Sequence, residues 1–289
     1  MKKIAILGCE NSHANNFLKA NIKDKMFADD IEFVGVFSEF EGVCEKLNEE
    51  FGVPVMKTYD ELVGKVDGIM VTARHGANHY KYAKPYIESG IPMFLDKPIT
   101  CDEEEAITFM KELKAKNILV TGGSSCPHAD LVRDLAKGVK EDAYGKVFGG
   151  FLRAPVSIDN EYGGFWFYSQ HLVQVMCEIF GYYPKSVIAF DKRPIVTVVV
   201  RYEEFDVTIT FTEGYYSYSA TVSSEKGLIG GEYTLEGVFN REFEEFHDLY
   251  SGKQRQSYSE FIAPVFVISA IMRSLESGKE EEVHTFEEI

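Results

Sequence analysis

Short apolar runs at residues 4–7, 31–37, 53–56, 68–72, 92–95 and 118–121 alternate with stretches of helical spacing at 15–25, 43–51, 59–64, 79–89 and 103–116. Such alternation predicts a parallel, doubly wound sheet, because parallel neighbours must be joined by a crossover that a helix supplies. After Gly122-Gly123 the pattern changes. A helix over 129–140, a strand over 145–154 and a helix over about 167–180 lead into β-branched and aromatic runs at 186–191, 195–202, 207–212, 216–223 and 228–235. Val207-Thr208-Ile209-Thr210-Phe211-Thr212 alternates strictly, so one face of its sheet is apolar and the other polar. Tyr202-Glu203-Glu204-Phe205 and Glu213-Gly214 read as tight connections between antiparallel strands. A final helix is predicted over 257–276. The expected fold class is α/β. A unit at 1–122 holds the parallel sheet, and a second α/β unit at 123–289 has an open, mainly antiparallel sheet.

The chain's 289 residues suffice for two cores, and 45% hydrophobic with 26% charged residues is the composition of a globular protein. No apolar run approaches the roughly 18 residues that span a bilayer, and the apolar part of the N-terminus is too short for a signal peptide. A net charge of −16 lacks the basic footprint that nucleic acid or an anionic membrane requires. Five cysteines, Cys9, Cys44, Cys101, Cys126 and Cys177, are scattered without a Cys-x-x-Cys pair. That usage points to free thiols in a reducing, cytoplasmic setting, and no ligand cluster argues for a metal. With few helices expected after Leu235, the exposed sheet face of the second unit calls for a second subunit. A homodimer or homotetramer through that sheet is expected.

The candidate chemistry lies where strands end, the edge at which open α/β sheets bind ligands. Gly90-Ile91-Pro92-Met93-Phe94-Leu95-Asp96-Lys97-Pro98 carries a buried strand into a lysine that proline keeps out of the helical region. Taken alone, Lys97 also reads as a surface lysine in a turn. The first strand runs into Gly8-Cys9-Glu10-Asn11-Ser12-His13, where a glycine-rich turn would let backbone N–H groups approach a pyrophosphate. Only Gly8 fits G-x-G-x-x-G. Glu10 and His13 stand in the other glycine places, and Asn11 and Ser12 could donate hydrogen bonds or cap the helix. Ser38 and Glu39 end the second strand, where an acid serves the adenosine ribose, which favours NAD over NADP. Thr72, Ala73, His75 and Asn78 follow the third strand, with Asn78 placed to cap a helix begun by His79. His79 reads equally as a packed histidine. In Gly163-Gly164-Phe165-Trp166-Phe167-Tyr168-Ser169-Gln170-His171, Tyr168 and His171 share a helix face and could bring acid–base chemistry into an aromatic-walled pocket. A helix packed with aromatics and one satisfied histidine is the alternative.

The order of these motifs resembles the glucose–fructose oxidoreductase / inositol dehydrogenase / MocA family over nearly the whole chain. That family has a Rossmann domain followed by an open-sheet α/β domain and uses NAD or NADP, mostly on sugars, cyclitols and related polyols. The resemblance implies that Lys97 is the motif lysine, with Asp96 in place of the usual glutamate, and that His171 is the family's histidine. A substrate hydroxyl would then give its proton to His171, assisted by Lys97, while hydride passes to nicotinamide. Two departures stand out: the glycine turn is reduced to Gly8, and Phe167, or Tyr168 with a one-residue gap, replaces an aspartate. A silent, ligand-responsive relative and an NAD-assisted lyase or glycosidase are the other readings.

Overall fold

The computed structural model describes residues 1–286. In chain order the elements are β1 Lys2–Leu7, α1 Ser12–Leu18, β2 Ile31–Phe37, α2 Val43–Phe51, β3 Gly68–Val71, α3 Ala77–Ala83, β4 Met93–Asp96, α4 Glu103–Ala115 and β5 Val120–Gly123. Then come α5 Asp130–Lys140, β6 Val147–Val156, α6 Trp166–Phe180, β7 Ser186–Lys192, β8 Ile195–Arg201, β9 Asp206–Glu213, β10 Tyr218–Ser224 and β11 Gly227–Tyr233. The chain ends with α7 Val238–Asp248, α8 Tyr258–Ser277 and β12 Glu281–Glu282. It divides into two compact units, Met1–Gly123 with Phe239–Tyr258, and Ser124–Val238 with the chain from Ser259 onward.

The first unit is the doubly wound sheet that the alternation predicts, in the order β2-β1-β3-β4-β5 and parallel throughout. Buried on both faces, β1, β3 and β4 read as near-continuous apolar runs. Two expected elements are reduced. Residues 53–56 make a single bridge, Val36 to Val55, because Pro54 has no N–H for a ladder, and 59–64 is a series of turns. The helix expected over 15–25 starts earlier, as α1, and its last turn is a π-helix, Lys19–Lys23.

The second unit has a mixed sheet in the order β11-β10-β6-β9-β8-β7-β12. Glu213-Gly214 does not close a hairpin, since β6 lies between β9 and β10 and runs parallel to β9. The other neighbours are antiparallel, and Tyr202-Glu203-Glu204-Phe205 closes the β8–β9 pair, Tyr202 N–H donating to the Phe205 carbonyl at 2.9 Å. The strict alternation sorts the faces. Ala220, Leu152, Ile209, Val198 and Ala189 form one buried row across five strands, while Thr221, Phe151, Thr208, Val199 and Ile188 form a row on the open face. On the buried face Gly150 makes room for α6: a Cβ there would stand 2.3 Å from the Phe180 ring.

The helix α8 meets the length and composition of a membrane span, contrary to the expectation that no run would. Most of its residues are buried, so it is an interior helix whose Ser, Ala and Pro residues interrupt the apolar run. The helix α7 lies in the stretch assigned to the second unit, yet it completes the first. Phe243 packs against Phe17, Phe27 and Phe33, and Phe246 and Leu249 join the same core. Gly68 leaves space for Tyr250, whose hydroxyl would lie 2.2 Å from a Cβ at that position. Gln254 accepts the N–H of Val120 at 2.9 Å, and Tyr258 donates to the Ile118 carbonyl at 2.8 Å.

On α7, Glu242 is fully buried, and neither carboxyl oxygen has a hydrogen-bond partner among the described residues. Burial first, then the charges of Asp96 and Glu245, push it well above the usual carboxylate range against the opposing pull of Arg255 and Lys97. The folded chain therefore keeps a proton that the unfolded chain releases above about pH 4.3, so this group lowers stability as pH rises from there. Glu242→Gln, which cannot ionise, should lose less Tm than the wild type between pH 5 and pH 8, by about 2–4 °C for each kcal/mol involved. Parallel thermal-melt curves for the two proteins would show that Glu242 ionises like a surface carboxylate.

Candidate active site

Four strand ends build the candidate site of the first unit. After β1, Gly8 takes φ +81°, and a Cβ there would stand 2.5 Å from the Ala73 Cβ. Only glycine lets this turn lie so close to the end of β3. The N–H groups of Gly8 and Cys9 both donate to the Phe37 carbonyl, at 2.8 and 3.1 Å. Thr72 donates its N–H to the Leu7 carbonyl at 2.8 Å and its hydroxyl to the Gly8 carbonyl at 2.9 Å. Turn and strand ends are thus one hydrogen-bonded block. Gly76 brings the next loop against the segment after β4, since a Cβ there would lie 2.8 Å from Pro98.

Asp96, the last residue of β4, has no exposure to solvent. One carboxyl oxygen accepts the Lys97 N–H at 2.7 Å. The other accepts from Asn11 Nδ2 at 3.2 Å and lies 2.6 Å from His13 Nδ1, within ion-pair distance though outside hydrogen-bond angle. Burial alone would raise this carboxyl, but the charges of His13 and Lys97 outweigh it and hold it down at about 2. Asn11 also donates to the Thr72 carbonyl at 2.6 Å and caps α1 by accepting the His13 N–H at 2.8 Å. Asn11 is therefore both cap and crosslink, and Ser12, at the exposed start of α1, is not the cap. His13, in the third glycine's place, packs its ring edge-on to Phe239 with centroids 4.8 Å apart. Lys97 is only 4% exposed, unusual for a lysine without a functional or paired role.

Glu10, in the second glycine's place, reaches across the turn. One carboxyl oxygen accepts the Ser38 hydroxyl and the other the Arg74 N–H, each at 3.0 Å. A carboxylate thus sits beside Ser38 at the end of β2, where the acid of a ribose site is expected. Glu39 instead forms an ion pair with Lys81 at 2.8 Å, both side chains about half exposed.

Around α3 the expectations divide. The helix begins at Ala77, so Asn78 lies inside its first turn and does not cap it. His75 takes that part, its Nδ1 accepting the Ala77 N–H at 3.2 Å. His79 is fully buried, bonds the Ala73 carbonyl at 2.8 Å, and is pushed toward its neutral form by burial. It is the packed histidine of the two alternatives.

In the second unit, Gly163 and Gly164 take φ +99° and +61° just before α6. Asn160 pins that loop by donating to the Gly164 carbonyl at 2.9 Å. On α6, Tyr168 and His171 do share a face, their rings edge to face at 4.9 Å. His171 is 7% exposed, and its Nδ1 lies 2.7 Å from the Ser124 hydroxyl and 3.5 Å from the Cys126 thiol. Ser124 and Cys126 are fully buried, and the Ser124 N–H donates to Gln174 Oε1 at 2.7 Å. Neither residue was singled out from sequence. Gly122-Gly123 marks a boundary, and nothing in the linear pattern brings Ser124 to a histidine so far along the chain. Lys97 belongs to the first unit and His171 to the second.

Comparisons with known proteins agree with this architecture. Residues 2–124 match the model of GFO_IDH_MocA, the oxidoreductase family with an NAD-binding Rossmann fold. No curated protein matches the chain. A putative myo-inositol dehydrogenase from Sinorhizobium meliloti 1021 has the same fold (TM-score 0.83, 16% identity, covering 98% of this chain and 100% of that one). Myo-inositol 2-dehydrogenase from Lactobacillus plantarum is similar (0.84, 14%, 98% and 99%). So is GenD2 from gentamicin A biosynthesis, solved in complex with NAD (0.83, 14%, 98% and 97%). At these identities the likeness is one of fold. The family match spans residues 2–124, less than half of the chain, and makes that unit similar to the NAD-binding Rossmann domain of the Gfo/Idh/MocA oxidoreductase family.

Proposed function

We propose that the protein is an NAD-dependent dehydrogenase of a small polyhydroxylated substrate, a sugar, cyclitol or similar polyol. The observation that carries this reading is the buried Asp96–Lys97 pair at the ligand-binding edge of a sheet whose Gly8 turn has no room for a side chain. Gly8, Asn11, Thr72 and Ala73 would hold the dinucleotide, and NAD when bound supplies the hydride acceptor. His171 takes the proton of the substrate hydroxyl. Lys97 stabilises the negative charge that develops on that oxygen, an effect that grows where water is excluded. Asp96 keeps the local charge near neutrality. Phe167 and Tyr168 stand where related enzymes have an aspartate, so proton exchange falls to His171.

Lys97→Ala and His171→Ala should each lower kcat by about a hundredfold or more, the usual worth of a positioned proton-transfer group. Fluorescence titration should find their NADH affinity within about threefold of wild type, a difference below 1 kcal/mol. Wild-type rates in both variants would remove the two residues from the mechanism, and a wild-type protein that reduces NAD with no polyol would remove the substrate class.

Glu10 is proposed to act as the ribose acid, replacing the acid that β2 lacks at Ser38. Its charge favours ribose hydroxyls and repels a 2′-phosphate. Glu10→Gln should therefore narrow the preference for NADH over NADPH about tenfold, the scale of one charge removed a few ångströms away. Tighter NADH binding by this variant, with the preference intact, would show that Glu10 obstructs the dinucleotide.

The open sheet face, with Phe151, Phe190 and Ile195 exposed, is proposed to pack on a second copy of the chain. Sedimentation at micromolar concentration should give a dimer or tetramer; monomer alone would dismiss this.

A further inference from the structure

Hydrogen bonds around His171 join buried residues of the second unit. Ser124 Oγ accepts the Cys126 N–H at 3.1 Å and lies 2.7 Å from His171 Nδ1. The Ser124 backbone is fixed in turn, its N–H donating to Gln174 Oε1, which also accepts from Gln170 Nε2 at 3.1 Å. Ser124, Cys126, Gln170 and Gln174 are all fully buried. Solvent is excluded there, so bulk water does not make good a bond lost from this network.

A hydroxyl oxygen has two acceptor sites. On Ser124 one is taken by the Cys126 N–H, and the second faces His171 Nδ1. The chemistry assigned to His171 selects which partner carries the hydrogen. An imidazole that receives a proton at one nitrogen must carry its hydrogen on the other, and the bond to that other nitrogen sets the tautomer. Nδ1 is engaged within the unit, so proton exchange runs through Nε2, and Nδ1 must be the N–H. In many histidine-dependent enzymes a carboxylate fixes that tautomer. On α6 neither Phe167 nor Tyr168 offers a carboxylate.

We propose that Ser124 is a positioning residue for His171, its hydroxyl oxygen accepting the Nδ1–H and holding the imidazole in the form whose Nε2 exchanges a proton with the substrate. The proposal rests on the reading of His171 as the base. A neutral acceptor suits a reversible base: it fixes orientation and tautomer without the charge by which a carboxylate would bind the protonated imidazole more tightly. Cys126, with its thiol 3.5 Å from the same nitrogen, is the weaker second neighbour.

The decisive measurement is nitrogen NMR of protein labelled with ¹⁵N-histidine, with the His171 signals identified by their loss in His171→Gln. Wild type should show a protonated, pyrrole-like Nδ1 and a pyridine-like Nε2 when His171 is neutral. Ser124→Ala should mix or reverse the two forms while the other histidine signals stay in place, which also reports that the fold is kept. Its kcat should fall about ten- to a hundredfold, the usual cost of removing a partner that orients a functional imidazole, and its NADH affinity should be unchanged. An unprotonated Nδ1 in the wild type, with the serine as donor, would overturn the proposal, as would an unchanged tautomer in Ser124→Ala. The spectrum reports on Ser124 even if no polyol is turned over. Absence of turnover with the expected tautomer would count against the dehydrogenase reading alone.

Discussion

A carboxylate sealed from water governs the geometry of the first unit's candidate site. Burying the charge of Asp96 without partners would cost several kcal/mol, and an unpaired buried charge normally neutralises instead. Here it stays ionised because His13, Lys97 and Asn11 converge on it. That requirement fixes several things at once. Asn11 must turn inward, so it also ties the Thr72 carbonyl to the turn after β1. His13 must lie along α1 facing β4, where its ring meets α7. Lys97 inherits a position set by the residue before it. The reduced glycine motif follows the same logic, since the side chains at 10 and 13 are crosslinks between strand ends.

Polar interiors of this kind are specific because they are unforgiving. The set around His171 shares the property with the set around Asp96: its members are buried or half-buried, and each bond restricts the next. They differ in charge. The first unit concentrates ionised groups at the strand ends proposed to hold the dinucleotide, whereas the second arranges neutral donors and acceptors around the histidine proposed to exchange a proton. The division matches what the proposed dehydrogenase reaction would ask of each half.

Much of the fold was legible because the parallel sheet leaves a plain record: apolar runs at β1, β3 and β4, separated by helical spacing. The alternation from Val207 to Thr212 likewise assigned the faces of the second sheet. What failed to show were features set by distant partners. Val238–Asp248 carries Phe239, Phe243 and Phe246 at helical spacing, but the surrounding charges disguise it, and Glu242 is buried against its chemical preference. The insertion of β6 between β9 and β10 depends on long-range pairing that no local turn encodes. Lys97 and His171 stood out through motif context. Ser124 did not, because a serine after two glycines looks like a linker until the fold brings α6 alongside it.

The return of Phe239–Tyr258 to the first unit has a consequence for how the chain is made. Ribosomes deliver residues 1–123 first, and domains generally fold in that order during synthesis. Here the early sheet emerges without Phe243, Phe246 and Leu249, and the apolar surface they cover stays open until the whole intervening unit has been translated. The second unit waits as well, since α8 comes later still. Both cores are therefore completed by the same late stretch of polypeptide, and a nascent chain stalled before it exposes two unfinished interiors at once.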